Sequence, residues 1–197
     1  MLKNLLDNIS DKYRKYIISI TYKDKLYFYI EGQDMENEAE DKLVLDKDDQ
    51  FFLYNSLNDL FLFLGSDEAG LFDLPNFTSW LKEIKNPALE MGDYSYTNRN
   101  FDSLTEMLKS SSPLELDRQR GTEWISYINL CHDYAINSGD DEFDDLAHID
   151  SIRNFWEDLY DAFVWKNTPT ESTTTDTAVL SDLKILFDSF IQKIKFK

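Results

Sequence analysis

The chain has little of what most catalytic and disulfide-stabilised proteins are built from. Its 197 residues include one cysteine, two histidines and six glycines. A lone cysteine, Cys131, excludes an intrachain disulfide and fits a reducing compartment. The sequence has no glycine-rich phosphate loop, no Walker pattern and no Gly-x-Ser-x-Gly elbow. We therefore predict a protein without enzymatic activity, catalytic residue or cofactor.

Spacings typical of metal sites are also missing. Cys131 and His132 are adjacent, and neighbouring helical residues point about 100° apart, so the two cannot easily hold one ion. The stretches Asp46–Asp49 and Asp140–Asp145 are dense in carboxylates. Neither has the glycine and the glutamate that a calcium-binding EF-hand loop requires. We predict no metal site and assign Cys131 to the core.

Basic residues are scarce relative to acidic ones. Lys and Arg total 20 against 38 Asp and Glu, which gives a formal net charge of −18. A surface this negative repels nucleic acid and anionic membranes and attracts basic partners. No apolar run is long enough to span a bilayer, and the first 15 residues lack the pattern of a secretion signal. We predict a cytoplasmic, soluble protein that binds neither nucleic acid nor membrane.

Apolar residues are plentiful enough for a folded core, at 42% hydrophobic and 15% aromatic. The stretch Asp144–Trp165 carries apolar residues at steps of three and four, with Phe155/Trp156 and Leu159/Tyr160 on one stripe. This spacing predicts one long helix with that face buried. Similar stripes predict helices over Leu116–Asn137 and Asp176–Lys195.

The N-terminal half has shorter elements. Tyr16–Tyr22 and Leu26–Ile30 are rich in β-branched and aromatic residues and predict a β-hairpin. We expect its turn to exceed two residues, because Lys23-Asp24-Lys25 lacks the usual Asn-Gly or Asp-Gly pair. Gln33–Asp41 is polar and predicts an exposed loop, whereas Phe51–Tyr54 fits a strand or a helix. Short helices are predicted after three capping residues, Ser56, Asn76 and Asp102.

Together these elements predict an α+β fold. A small, mostly antiparallel sheet with short helices occupies the N-terminal half and packs against a C-terminal bundle of three longer helices. We expect one domain over 1–197. If the chain divides, the run Ser110–Pro113 favours sub-units 1–112 and 113–197. The Thr-rich connector Asn167–Thr177 has no apolar content, which predicts a mobile or solvent-facing segment. The sequence leaves open whether this connector is ordered.

The acidic residues are concentrated in two stretches. Glu31–Gln50 has nine acids against two lysines, and Asp133–Asp158 has nine against Arg153 alone. One interpretation is a solvated surface that keeps the protein soluble. The other is a docking surface, since clustered carboxylates speed association with a basic partner. On the second interpretation, the partner-binding candidates are Asp140, Asp141, Glu142, Asp144 and Asp145, with Glu36, Glu38, Glu40 and Asp41 as a second group.

The acidic loops Glu31–Asp41 and Asp140–Asp145, together with the phrase FFLYNSLNDLFLFLG, resemble a known class in their composition. The chain is similar to the immunity proteins of bacterial polymorphic-toxin and secretion systems. Those proteins are small, acidic, cytosolic and aromatic-rich. The resemblance implies a one-to-one complex that blocks a toxin domain without chemistry by this protein, and it transfers no individual residue.

Three hypotheses about function follow. The first is an immunity-type protein that neutralises a cognate toxin or another basic protein domain through acidic and aromatic surface. The second is a nucleic-acid mimic or scaffold that binds DNA-associated proteins, which requires carboxylates spaced like phosphates. The third is an enzyme of unrecognised type, for which a deep pocket enclosing two carboxylates would be the sign.

Overall fold

The computed structural model describes residues 2–37, 39–85, 97–165 and 172–197, and shows a mixed α+β protein. In chain order the strands are β1 (Lys15–Tyr22), β2 (Lys25–Asp34), β3 (Glu40–Leu43), β4 (Leu45–Asp46), β5 (Phe51–Leu53), β6 (Ala69–Gly70), β7 (Thr97–Asn100), β8 (Leu114–Asp117), β9 (Ser172–Thr175) and β10 (Ile194–Phe196). The helices are α1 (Leu2–Tyr13), α2 (Leu57–Leu64), α3 (Leu74–Ile84), α4 (Phe101–Leu108), α5 (Arg118–Ser138), α6 (Asp141–Ala147), α7 (Asp150–Tyr160), the π-helix Asp161–Trp165 and α8 (Thr177–Lys193).

The backbone forms two compact units. The first comprises Met1–Ile20, Leu26–Asn98 and Lys195–Lys197, and the second comprises Thr21–Lys25 and Arg99–Ile194. Our expectation of a single domain over 1–197 stays a prediction. So do the alternative sub-division into 1–112 and 113–197 and the packing of the sheet on the C-terminal helices. No helix among the described residues is both long enough and apolar enough to cross a bilayer.

The first unit is organised on a four-stranded sheet with the order β3-β2-β1-β7. The predicted hairpin is confirmed, since β1 and β2 are neighbours in this sheet. The exposed loop predicted over Gln33–Asp41 is wrong at its two ends, which are strands. Gln33 pairs with Asp41 and Asp34 with Glu40 in an antiparallel register. Met35–Asn37 are exposed turn residues, and the Asp34 carboxylate accepts from Glu36 N (3.1 Å) and Asn37 Nδ2 (2.7 Å).

The undecided stretch Phe51–Tyr54 is extended. Phe51–Leu53 is a strand paired with β10, and Tyr54 bridges to Phe28. Ser56 caps α2 as predicted, since its side chain accepts from Asp59 N. The cap predicted at Asn76 is wrong, because α3 begins at Leu74, two residues earlier.

The first unit has its own hydrophobic core, in which strands contribute alternate side chains and helices contribute one face. Trp80 and Phe77 of α3 are fully buried at its centre, with Ile84 one turn further along. The other members of this cluster are Ile9, Ile17, Phe28, Ile30, Val44, Tyr54, Leu57, Leu60, Phe63, Leu64 and Ala69.

In the second unit, the hairpin turn is tighter than predicted. Strand β1 ends at Tyr22 and β2 begins at Lys25, so only two residues form the turn. Both have positive φ, 52° at Lys23 and 57° at Asp24, as type I′ turns require. The Asp102 carboxylate accepts from both backbone nitrogens, at 2.6 and 2.9 Å. Asp102 therefore supports this turn, and Asn100 rather than Asp102 caps α4.

The long helix predicted over Asp144–Trp165 is three shorter elements. Helix α6 ends at Ala147, and Ile149 has extended backbone (φ −58°, ψ 147°) before α7 begins. After Tyr160 the chain continues as the π-helix. The apolar stripe persists across the break, which is why periodicity alone predicted a continuous helix. The prediction of an acidic loop at Asp140–Asp145 is also wrong, because these residues cap and begin α6.

The other two predicted helices are confirmed with shifted ends. Helix α5 begins at Arg118, since Leu114–Asp117 is a strand. Helix α8 ends at Lys193, and β10 follows it. The solvent-facing connector predicted over Asn167–Thr177 is wrong for its described part. Ser172–Thr175 pairs antiparallel with β8, as β-branched threonines favour.

The core of the second unit is aromatic. Phe101, Tyr127 and Phe190 are buried and meet edge to face, with Tyr127 5.5 Å from Phe101 and 5.9 Å from Phe190 between ring centroids. Trp124 continues this cluster at 5.8 Å from Tyr127. Such edge-to-face pairs add about 0.5–1.5 kcal/mol each beyond area burial. This core fixes one side of α5, and the opposite side carries the surface described next.

Candidate partner-binding surface

The predicted acidic group at α6 contains two kinds of carboxylate: those that already have a partner within the protein and those that do not. Asp140 caps the helix by accepting from Phe143 N (3.1 Å), and its other oxygen accepts from Lys193 Nζ (2.5 Å). The hydrogen bond from Lys193 is the main reason that the pKa of Asp140 is lowered. Asp144 lies 3.1 Å from His148 Nδ1. These two carboxylates are therefore occupied within the protein.

Asp141, Glu142 and Asp145 are exposed, and their carboxylates make no hydrogen bond or ion pair within the described part of the chain. Asp141 and Glu142 lie in the first turn of α6, where the helix dipole stabilises negative charge. The free carboxylates of the group are thus these three, all on one short helix.

The second predicted group belongs to the first unit. Glu36 is exposed on the turn between β2 and β3, whereas Glu40 pairs with Lys42 at 3.0 Å. Asp41 accepts from Gln33 Nε2 at 3.3 Å, in the register of the two strands. Glu38 lies outside the described residues. Two of the three described members thus already have partners on the sheet edge.

Sequence analysis missed an aromatic cluster on the outer side of the second unit. Trp156, Tyr160 and Trp165 form it, with ring centroids 4.3 Å apart for Trp156–Tyr160 and 5.1 Å for Tyr160–Trp165. We call these three residues the aromatic cluster. Trp165 is 58% exposed, and its neighbour Val164 is 49% exposed. The cluster is a sizeable apolar surface rather than core.

The prediction that Trp156 and Tyr160 face the core is therefore wrong. Phe155 and Leu159 are the buried members of those two pairs, and Trp156 and Tyr160 are half-buried beside them. A stripe with two adjacent apolar residues at each turn is wider than one packed face needs. That excess width was the signal from which the surface could have been found.

Asn129 on α5 holds two rings of the cluster in place. Its Oδ1 accepts from Trp156 Nε1 at 2.8 Å, and its Nδ2 donates to Tyr160 Oη at 3.0 Å. The polar atoms of both rings thereby have hydrogen-bond partners inside the protein, while part of each ring face remains exposed to solvent. Rings fixed in this way lose little conformational entropy when a partner packs on them.

The π-helix positions the third ring. Its buried residue Phe163 packs on Gly121 of α5, where an added Cβ would lie 2.2 Å from Phe163 Cε2. Only glycine allows this approach. Because Phe163 points inward, Trp165 lies on the protein surface, with its ring centroid 6.2 Å from that of Trp156. π-Helical turns of this kind occur frequently at functional sites.

Two stacked histidines connect the aromatic cluster with α6. The His132 and His148 rings are parallel within 10° and 4.2 Å apart, and His132 lies 6.4 Å from Trp156. Ring nitrogens are within hydrogen-bond distance of Ala147 O for His132 (3.2 Å) and Asp144 O for His148 (3.0 Å). Burial, followed by the nearby charge of His148, lowers the pKa of His132. A chain of ring contacts thus runs from Trp156 through His132 to His148, the residue that follows α6.

Cys131 is fully buried, and burial raises the pKa of its thiol well above the usual range. A thiol of this kind is a poor nucleophile. Among the described residues, no group of three or more His, Cys, Asp and Glu side chains is placed to hold a metal ion.

Comparison with known proteins shows a fold relationship. No family model matches the chain, and no curated protein matches it in sequence. Its structure is similar to that of the C-terminal domain of SatS, which was solved in complex with bromine. The TM-score is 0.59, with 10% sequence identity over 95% of this chain and 96% of that domain. At this identity the similarity extends to the fold alone.

Proposed function

We propose that this protein is a non-catalytic, immunity-type binding protein that captures a basic protein domain on the aromatic cluster and the adjacent α6. The observation that carries the proposal is the cluster itself, with Trp165 exposed and two of its rings fixed by Asn129. Tryptophan and tyrosine dominate the energetic centres of protein interfaces. Isolated exposed apolar residues need no explanation, but a fixed, contiguous aromatic patch does.

The chemistry of the partner follows from charge. A net charge of −18 and three free carboxylates on α6 favour a positively charged protein surface. Asp141, Glu142 and Asp145 would steer the partner, because exposed carboxylates act mainly on the association rate. Asp140 contributes less, since Lys193 already neutralises its charge in part, and Asp144 contributes less because it is only half-exposed.

The second acidic group has a smaller place in the proposal. Of Glu36, Glu38, Glu40 and Asp41, only Glu36 is described as exposed and without a side-chain partner. A cytoplasmic location suits the proposal as well, because the chain contains a single buried cysteine. A cytoplasmic immunity protein would act on its toxin domain inside the cell that makes it.

The identifying experiment is affinity capture from a lysate of the source organism with the full chain as bait. We expect one stoichiometric partner with a basic domain, and loss of that domain's activity when this protein is added. Capture of several unrelated DNA-binding proteins would instead support a nucleic-acid mimic. Failure of a folded bait to retain any partner would contradict the proposal.

The steering role is tested with a charge variant. Asp141→Asn/Glu142→Gln/Asp145→Asn should slow association with the captured partner and flatten its dependence on salt. The matched control, Asp48→Asn/Asp49→Asn/Asp67→Asn, removes the same number of negative charges, three, from exposed positions of the first unit. Equal association rates for the two triple variants would remove α6 from the proposed surface.

A further inference from the structure

The first unit contains a separate site, which goes beyond the proposed function and does not depend on it. An open groove of about 440 Å³ lies along α2 and the end of β5. The residues that line it include Tyr54, Asp59, Leu62, Phe63, Glu68 and Lys197. Leu62 is 65% exposed. The lining combines aromatic rings, an exposed aliphatic rim and two carboxylates.

An ammonium group already occupies an aromatic face beside this groove. The Nζ of Lys197 lies 3.7 Å from the centroid of the Phe52 ring and 5.9 Å from that of Tyr54. Two backbone hydrogen bonds fix the residue: Lys197 N donates to Leu53 O, and Lys197 O accepts from Asn55 N, both at 2.9 Å. The position of this cation is therefore set by the strand pairing of β10 and β5.

The two rings near Lys197 Nζ, Phe52 and Tyr54, form an aromatic group with Phe63. Phe52, Tyr54 and Phe63 have centroids 5.2–6.2 Å apart, and Tyr54 stacks on Phe63 at an interplanar angle of 27°. Aromatic faces carry negative quadrupole charge and attract cations within about 6 Å. Tyr54 and Phe63 also belong to the hydrophobic core of the first unit, so the ring face open to a cation is chiefly that of Phe52.

The polar groups of the groove point to the same ligand chemistry. The buried Tyr54 hydroxyl has no hydrogen-bond partner among the described residues, and the Glu68 carboxylate has none within that same part. Burial raises the pKa of Tyr54, and the nearby charges of Asp46 and Glu68 raise it further. Two carboxylates, those of Asp46 and Glu68, thus lie close enough to Tyr54 to act on its hydroxyl group.

We infer that this groove binds a primary alkylammonium ion, with Lys197 as the resident competitor for the aromatic face. The incoming ammonium would lie over Phe52 and Tyr54 and pair with Glu68, while its alkyl chain contacts Leu62. A lysine side chain of a polypeptide and a free diamine both present this group. Their shared chemistry is what the site would recognise.

The test uses the full chain and n-butylammonium as the probe, followed by NMR chemical shifts. We expect saturable binding with shifts confined to the groove residues, and no comparable binding of butan-1-ol, the neutral analogue. Lys197→Gln should tighten binding about fivefold by removing the competitor, and Glu68→Gln should weaken it by a similar factor. Asp67→Asn, at the neighbouring exposed carboxylate outside the lining, should leave affinity unchanged.

Three results would overturn the inference. They are absence of saturable binding to folded protein, equal affinity for butan-1-ol, and equal effects of Glu68→Gln and Asp67→Asn. A comparison of N-acetyl-lysine N-methylamide with 1,5-diaminopentane then separates the two sources. Tighter binding of the first identifies a polypeptide lysine as the ligand, and tighter binding of the second identifies a polyamine. The spectrum of each variant verifies its fold, so failure here is independent of partner capture by the second unit.

Discussion

Lys15 Nζ lies 3.1 Å from Asp73 Oδ2, and both side chains are almost entirely shielded from solvent, at 0% and 3% exposure. The ammonium also donates to Gln33 O (2.6 Å) and Tyr13 O (3.2 Å). The carboxylate accepts from Asn76 Nδ2 at 2.7 Å. This pair joins β1 to Asp73, the residue that precedes α3, in the first unit.

Breaking this pair should destabilise the first unit strongly. Lys15→Met leaves the Asp73 carboxylate buried without its cation, and Asp73→Asn leaves the ammonium buried without its anion. Each change should cost about 3–5 kcal/mol of unfolding free energy. Asparagine is chosen because Asp73 has φ 48°, which asparagine tolerates. Urea denaturation of both single variants measures the loss.

The double variant Lys15→Met/Asp73→Asn is the control for that prediction. It removes both charges together, so it should lose clearly less than the sum of the two single changes. Additive losses would show that the two side chains act independently. The account of a coupled buried pair would then be wrong.

The hairpin turn gives a second stability prediction. Asp24 has φ 57°, which glycine adopts without steric cost, so Asp24→Gly should stabilise the protein by about 0.5–1 kcal/mol. Asp102→Ala should destabilise it by about 1–3 kcal/mol, because it removes the acceptor of two turn N–H groups. Thermal unfolding measures both changes. Opposite signs are expected, and equal signs would contradict this account of the turn.

The contact between Gly121 and Phe163 should not tolerate a methyl group. Gly121→Ala would place a Cβ 2.2 Å from Phe163 Cε2, and the overpacking should cost about 1–3 kcal/mol. Gly121→Ala/Phe163→Leu should recover part of that loss by shortening the ring. Gly139→Asn is the matched control, since nothing lies within 4 Å of its Cβ position and asparagine tolerates its φ of 64°. Because alanine favours a helix interior more than glycine does, a loss in Gly121→Ala must come from the contact with Phe163, and a Gly121→Ala variant as stable as Gly139→Asn would contradict this account.

The histidine pair should make stability depend on pH. Burial lowers the pKa of His132 below its usual 6.5, so the unfolded chain binds the proton more tightly than the folded one. The stabilisation is therefore complete above pH 6.5 and is lost as pH falls towards the lower, folded pKa. His132→Gln should flatten the curve of unfolding free energy against pH in that window. The amide of glutamine can still donate to Ala147 O, which lies 3.2 Å from His132 Nε2.

A curve that stays equally steep below pH 6.5 in His132→Gln would contradict this prediction. The carboxyl groups of Asp34 and Asp140 have lowered pKa values. They contribute to acid unfolding at lower pH than the histidine. The two effects are thus separable in one titration.

Periodicity predicted the elements whose partners lie nearby in sequence. The hairpin, α2 with its Ser56 cap and most of α5 and α8 follow from local pattern and capping chemistry. The turn length did not, because its stabilising partner Asp102 lies 79 residues from Lys23. Nothing local distinguishes that aspartate from an ordinary helix cap.

The sequence predicted the charge of the candidate surface, and the width of the apolar stripe was the one signal of its aromatic part. The acids of α6 are visible as a run in sequence, whereas the aromatic cluster depends on Asn129, 27 residues before Trp156 on another helix. Likewise no local signal pairs Lys15 with Asp73, 58 residues apart. Asp140 is one of the predicted partner-binding residues, and only the fold reveals that Lys193 Nζ donates a hydrogen bond to its carboxylate.

The central claim is that the aromatic cluster is the partner contact, and Trp165 tests it most directly. The measurement is the dissociation constant of the captured partner for wild type, Trp165→Ser and Ile185→Ser. Ile185 on α8 is a matched control, because it is 52% exposed against 58% for Trp165 and lies in the same unit. The account predicts at least about a tenfold loss of affinity for Trp165→Ser, as for an interface hot spot, and little change for Ile185→Ser. Equal affinities of all three proteins would contradict it.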